Sequence, residues 1–232
     1  MRDRVDPVVV DLPVRGEWRA YHTPGSAVPS HGTDQLGQRF AYDLIRVDAR
    51  DGWHFHPASG ARSAVLGVRT DECYGWGEPV LAPVDGEVVA AHDGIEERGW
   101  IHPARELALV VRNALTFRPD RLPQVVGNHV ILRSGDVCAL FAHLAPGSVA
   151  VADGQALQRG DMIGRVGHTG NSTAPHLHFH LMDGPDLLTA RGIPCAFAEL
   201  EVYRQGRWER VHDGIPTKSD RFRSVPSSQA RS

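Results

Sequence analysis

Apolar and polar positions alternate in short runs along much of this chain. Seven stretches read as strands: 8–12, 40–47, 86–91, 129–133, 137–143, 162–166 and 176–182. Alternation over four to eight residues, bounded by turn formers, is what a half-buried strand produces. The 24 glycines and 16 prolines supply the punctuation, and Ser134-Gly135-Asp136 reads as a hairpin turn. One helix is expected at 104–114, although its apolar positions are too dense for a clean amphipathic face. It lies in 94–127, which reads as an insertion between strands. The pattern predicts an antiparallel β protein, without long repeats or an internal linker. From Pro216 to the end the chain is polar and is expected to be a loose tail, 216–232.

The run APHLHFHLMDG, residues 174–184, carries the most chemistry. On a strand, His176, His178 and His180 share one face, while Leu177, Phe179 and Leu181 share the other. Neighbouring histidines on that face stand roughly 7 Å apart, two strand rises. Two of them can converge on a zinc ion through bonds of about 2.0–2.1 Å. A single strand histidine is usually structural. Grouped imidazoles are harder to accommodate, because they repel when charged and need partners when buried. His-x-His alone is a weak motif, and Trp53-His54-Phe55-His56 contains another one. His54 and His56 lie between Gly, Asp and Pro and read as surface loop residues, with a zinc role as the alternative; His129 reads as structural or as near the rim of a cleft.

Composition narrows the function. The chain has 232 residues, 41% hydrophobic and 23% charged, with a net charge of −3. With no polybasic cluster, no nucleic-acid partner is expected. No apolar run reaches the ~18–20 residues of a membrane-spanning helix. The N-terminus has a charged start but no apolar core with a cleavage site, so no secretory signal is expected. The location stays open: the cytoplasm by default, the cell wall or exterior if another export route exists. Cys73, Cys138 and Cys195 are widely spaced and odd in number, which reads as buried free thiols.

The order GNHVIL, AHL, GD-x-IG-x-VG-x-TGNST-x-PHLHF resembles the lysostaphin/LytM-type zinc metalloendopeptidases, which cut peptide bonds in bacterial peptidoglycan. The likeness runs from about Glu78 to Asp183, interrupted by 94–127, and extends more loosely to Ser30–Leu44. It implies an all-β fold: an antiparallel, partly open sheet with a β-sandwich-like core, forming a narrow cleft, with loop and short helical insertions. It also implies one metallopeptidase domain over 1–215, acting as a monomer on peptide or peptidoglycan.

The resemblance implies His31, Asp43 and His178 as zinc ligands, and His143 and His176 as the catalytic pair. The usual early spacing His-x-x-x-Asp would need Asp at position 35, where this chain has Gln35. The segment Gln38-Arg39-Phe40-Ala41-Tyr42-Asp43 fits a variant with a later Asp. Asp34 is the rival. Asp43 is preferred because an unpaired carboxylate within an apolar run is costly, whereas Asp34 lies in a polar loop. His168, Asn171 and His180 are expected along the substrate groove. There is no His-Glu-x-x-His helix, so proton handling falls to His143 and His176 jointly. The five polar positions favour a zinc-dependent peptidase over its alternative, a non-catalytic relative that scaffolds or activates another cell-wall hydrolase. Segments 82–89 and 151–167 also resemble lipoyl- or biotin-carrying half-barrels. The sole lysine, Lys218, is in the tail and unsuited to carry such a group.

Overall fold

The computed structural model describes residues 6–58, 60–116 and 118–225. In chain order its strands are β1 (Val8–Val10), β2 (Glu17–Ala20), β3 (Tyr42–Arg46), β4 (Val68–Arg69), β5 (Pro79–Leu81), β6 (Gly86–His92), β7 (Trp100–Ile101), β8 (Asn128–Ser134), β9 (Val137–Leu144), β10 (Ala156–Leu157), β11 (Met162–Arg165), β12 (Leu177–Met182), β13 (Gly192–Ile193), β14 (Cys195–Arg204), β15 (Arg207–Gly214) and β16 (Arg221–Ser224). The helices are α1 (Gly60–Leu66), α2 (Pro103–Leu115) and α3 (Leu122–Val126), with a 3₁₀ segment at Gln35–Phe40.

Twelve strands form one sheet in the order β1-β14-β16-β2-β3-β12-β9-β8-β6-β10, with β13 beside β12 and β15 beside β14. Among the described residues the path does not close, and every pairing except β1–β14 is antiparallel. The all-β, antiparallel, partly open architecture is therefore as expected. The small sheet β5–β11 contributes Val80 and Ile163 to the main core, which gives that core two layers.

Period-2 alternation sorts the central strands by face. Leu177, Phe179 and Leu181 of β12 join Tyr42, Leu44, Val130, Leu132, Ala139 and Phe141 in the main core. Ile131, Cys138, Leu140, Ala142 and Met182 face the other way and form a second apolar cluster with Val126 and Leu187. Burying a Leu or Phe side chain stabilises by roughly 1.5–3 kcal/mol, so a one-residue slip of β12 would be strongly opposed.

Two expectations need adjusting. The strand expected from residue 40 begins at Tyr42, because 35–40 is wound into the 3₁₀ segment. The loose tail does not begin at Pro216: β16 pairs with both β14 and β2, and Phe222 is buried in the core. With Phe222 as its one apolar residue, β16 does not show as alternation. Residues 226–232 lie outside the described residues. The expected helix is α2, opened by Pro103, a residue suited to a first turn. The three cysteines are buried and free. No helix is long and apolar enough to cross a membrane among the described residues.

Candidate metal centre

The centre starts from one strand register. Asp43 of β3 stands directly opposite His178 of β12. The flanking pairs, Leu44 with Leu177 and Tyr42 with Phe179, point into the core. Asp43 and His178 must therefore both face the cleft. His178 Nδ1 lies 2.8 Å from Asp43 Oδ1, and His176 Nε2 lies 3.3 Å from the same oxygen. His31 Nε2 lies 3.0 Å, and His22 Nδ1 2.8 Å, from Asp43 Oδ2. Asp34, the rival carboxylate, instead pairs with Arg39 at 2.6 Å on the surface.

His143 reaches the same cleft by breaking the alternation. By period it belongs with Phe141 on the core face. A register shift between Asn128 and Val130 of β8 marks a bulge at this point. His143 takes φ 64°, the left-handed region, and Leu144 resumes the buried side. Bulges commonly re-aim a side chain next to a functional site, and a non-glycine residue held at such φ costs about 1 kcal/mol or more. The imidazole ends 4.9 Å from that of His176 and 5.8 Å from that of His178, between ring centroids.

Hydrogen bonds fix which nitrogens face inward. Carbonyl oxygens can only accept, so His143 donates through Nδ1 to Thr169 O (2.9 Å) and His176 through Nδ1 to Ala174 O (2.7 Å). The Ser30 hydroxyl donates to Gln38 O (3.3 Å) and accepts from His31 Nδ1 (3.0 Å). In their neutral forms these three rings aim Nε2 lone pairs into the cleft, at a carboxylate that is itself only an acceptor. Acceptors brought face to face require protons or a cation between them. His31, Asp43 and His178 fit zinc: two imidazoles and a carboxylate, the ligand chemistry zinc takes. His31 Nε2 lies 3.0 Å from one Asp43 oxygen and His178 Nδ1 2.8 Å from the other, and by mutual distance the atoms able to hold a metal ion fall into two adjoining groups, His22, His31 and Asp43, and His143, His176 and His178. His178 Nε2 is backed by His180 Nδ1 at 3.1 Å, the outer contact that orients a ligand imidazole. His180 Nε2 is buried without a hydrogen-bond partner among the described residues.

Burial works against the charged Asp43 carboxylate. His176 and His31, with hydrogen bonds from His176 and His178, outweigh it and hold the group well below its ordinary range. Burial pushes His143 well below the ordinary imidazole value, with His176 and His178 adding to it. Burial also opposes charge on His176, but Asp43 beside it wins and raises the value. The two candidate catalytic rings are thus driven in opposite directions.

The structure brings His31, Asp43, His143, His176 and His178 together around one cavity, whose wall also includes Asn171 and His180. His168 is not on that wall. It is fully buried behind it, with Nδ1 3.0 Å from Ser172 Oγ, which corrects its expected place in the groove. Its partners in 94–127 are Glu97, which accepts from its backbone N at 2.8 Å, and Arg98, whose Nη2 is 3.2 Å from its Nε2. His129 is buried against the Gly127 carbonyl, and His54 is exposed beside Asp51; neither reaches the cleft. The residue that sequence reasoning missed is His22. It follows β2 in a turn segment with no motif around it, and its only signal is adjacency to the strand that pairs with β3.

Residues 110–188 match the profile of peptidase family M23. That match contains His143, His176 and His178, whereas His31 and Asp43 lie outside it and rest on the geometry above. The peptidoglycan DD-endopeptidase ShyA of Vibrio cholerae is 39% identical over 57 residues, which are 24% of this chain and 13% of that protein. An uncharacterized metalloprotease of Haemophilus influenzae is 29% identical over 152 residues, 63% of this chain and 25% of that protein. The matched lengths are thus a quarter or less of these curated relatives. The catalytic domain of lysostaphin from Staphylococcus simulans is similar at 18% identity and a TM-score of 0.37, over 77% of this chain and 88% of that domain. With His143 and the run of His176, His178 and His180 inside the matched stretch, residues 110–188 of this chain match peptidase family M23.

Proposed function

We propose that this chain is a zinc-dependent endopeptidase that hydrolyses peptide bonds in bacterial cell-wall peptidoglycan. The observation that carries the reading is the convergence of His31, Asp43 and His178 with His143 and His176 in one cleft. The relation to a peptidoglycan endopeptidase supports the substrate class. Completeness of the five-residue set weighs against a purely scaffolding role.

His31 Nε2, His178 Nδ1 and the Asp43 carboxylate would hold the zinc ion. Bound there, zinc supplies a Lewis acid that polarises a peptide carbonyl and acidifies water. The chain's own residues supply the proton handling. His143 and His176 are anchored through Nδ1 on backbone carbonyls, so each presents only Nε2 to the cleft. A ring presenting a lone pair takes a proton from attacking water; a ring presenting N–H steadies charge on the carbonyl oxygen or protonates the departing amine. The pair holds both roles between them. Asn171, on the cavity wall, offers an amide to a substrate backbone.

The test combines metal analysis with hydrolysis. Protein purified without chelator is expected to hold about one zinc per chain, and His178→Ala to lose it. Purified peptidoglycan treated with the zinc-loaded chain should release fragments bearing new free amino groups. New reducing ends in their place, or a zinc-loaded wild-type chain that liberates no amine from peptidoglycan, would overturn the reading.

A further inference from the structure

The 94–127 segment is bonded to the loop that precedes β12. Arg98 and Glu106 form an ion pair with Nη2 to Oε2 at 2.9 Å, and the Glu106 side chain is 2% exposed. The same guanidinium donates to Gly170 O at 3.1 Å and to Ser172 O at 2.8 Å, and its Nη2 stands 3.2 Å from His168 Nε2. Arginine can only donate. His168 therefore accepts at Nε2 and carries its proton on Nδ1, which faces Ser172 Oγ at 3.0 Å. Ser172 Oγ in turn lies 3.2 Å from His176 Nδ1 and donates to Ala174 O at 2.7 Å, the carbonyl that also anchors His176. One residue before Gly170, the Thr169 carbonyl anchors His143.

Both Nδ1 anchors of the cleft histidines thus belong to residues 169–174, and that loop is tied to the 94–127 segment throughout. Asn171 N donates to Val125 O at 2.9 Å, and Asn113 Nδ2 to Asn171 Oδ1 at 3.0 Å. Gly170 has φ 70°, and a Cβ there would meet Gly127 N and Val125 O at 2.6 Å. The loop lies flat on the segment with no room for a side chain.

We propose that Arg98, braced by Glu106, is a positioning residue that sets the loop carrying the Nδ1 anchors of His143 and His176. The term catalytic for those two rings rests on the endopeptidase reading; the positioning itself does not. A buried ion pair brings little net stability compared with apolar packing. What a guanidinium contributes is a planar fork of donors at fixed angles. Here the fork meets two loop carbonyls and a histidine while Glu106 holds its other edge.

Arg98→Lys keeps the charge and removes the fork. The primary readout is water exchange of the imidazole Nδ1–H protons, followed by NMR on the whole chain. In Arg98→Lys with cooperative unfolding retained, the His143 and His176 protons are expected to exchange about 10–100-fold faster, with kcat falling by a similar factor and KM within about twofold. The His31 Nδ1–H, anchored on Ser30, should be unchanged. A folded Arg98→Lys whose His143 and His176 protons exchange at wild-type rates overturns the proposal. Should that variant not fold, Glu106→Gln, which preserves shape and loosens the brace, is read by the same two outcomes. A wild-type chain that hydrolyses no peptide defeats the endopeptidase reading alone, because the exchange measurement still decides the positioning.

Discussion

The two sides of the candidate centre are held by different means. Asp43 and His178 stand on adjacent strands and are placed by the ladder itself, with core pairs above and below them. His31, and the anchors of His143 and His176, come from loops placed by side-chain hydrogen bonds: Ser30 under His31, Arg98 under the 169–174 loop. A ladder tolerates the loss of any one hydrogen bond because its neighbours keep the register. A loop placed by side-chain contacts has no such repeating ladder behind it. Strand-borne groups should therefore fail through their own chemistry, and loop-borne groups through their supports.

The largest effect should come from the strand-borne carboxylate. Asp43→Asn removes the one anion that four imidazoles face. Zinc affinity is expected to fall beyond the ~10–100-fold that losing an outer-contact partner costs, while the circular dichroism spectrum is kept. Asp34→Asn, which disturbs only an exposed pair with Arg39, should leave zinc content unchanged. Equal zinc loss in both variants would move the ligand assignment from Asp43.

Next is the opposite face of the same strand. Phe179 is fully buried between His178 and His180 in sequence, packed 5.3 Å from Phe141 between ring centroids. Phe179→Ala should cost about 3–5 kcal/mol of stability, read from urea unfolding, with zinc stoichiometry unchanged in the folded fraction. Large zinc loss in protein that is still folded would mean that the ladder does not hold register by itself. The loop-borne counterpart is Ser30→Ala, which deletes one hydroxyl and should change stability little. Freed from its Nδ1 anchor, His31 should lower zinc affinity by about 10–100-fold, measured by chelator competition. An unchanged affinity would show that His31 is placed by packing.

The strand-borne half was largely legible in the sequence. Alternation in 174–184 put His178 and His180 on one face, and the cost of a carboxylate in an apolar run singled out Asp43 over Asp34. His176 reaches the same cavity although it precedes the strand on which alternation put it, held there by Ala174 and Ser172. What periodicity does not carry is any device that breaks the period. The bulge that turns His143 out of the core leaves no mark in a run reading VCALFAHL. His22 has no motif, and β16 carries too few apolar residues to be seen. His168 sits in a glycine-rich loop where nothing local distinguishes an inward ring from one on the groove; the Arg98 that claims it is 70 residues away.

His168, on the loop side of the centre, yields a pH-dependent prediction. Burial, followed by Arg98 and His176, lowers its pKa from 6.5 to about 3. Above pH about 6.5 the ring is neutral in both folded and unfolded chains and its contribution is fully present. As pH falls from there toward 3, the unfolded chain takes up a proton that the folded chain refuses, so stability is lost, by at most about 1.4 kcal/mol per pH unit from this group. Other groups shift with pH as well, so the quantity to measure is a difference. His168→Asn keeps a neutral polar side chain beside Ser172 and removes the titration. Urea midpoints for zinc-free wild type and variant, taken at pH 7, 5 and 4, should converge as the pH falls, because the variant lacks this one acid penalty. Parallel profiles would mean that the folded chain accommodates a charged His168, and that the packing of the 94–127 segment against the loop opens readily enough to admit water.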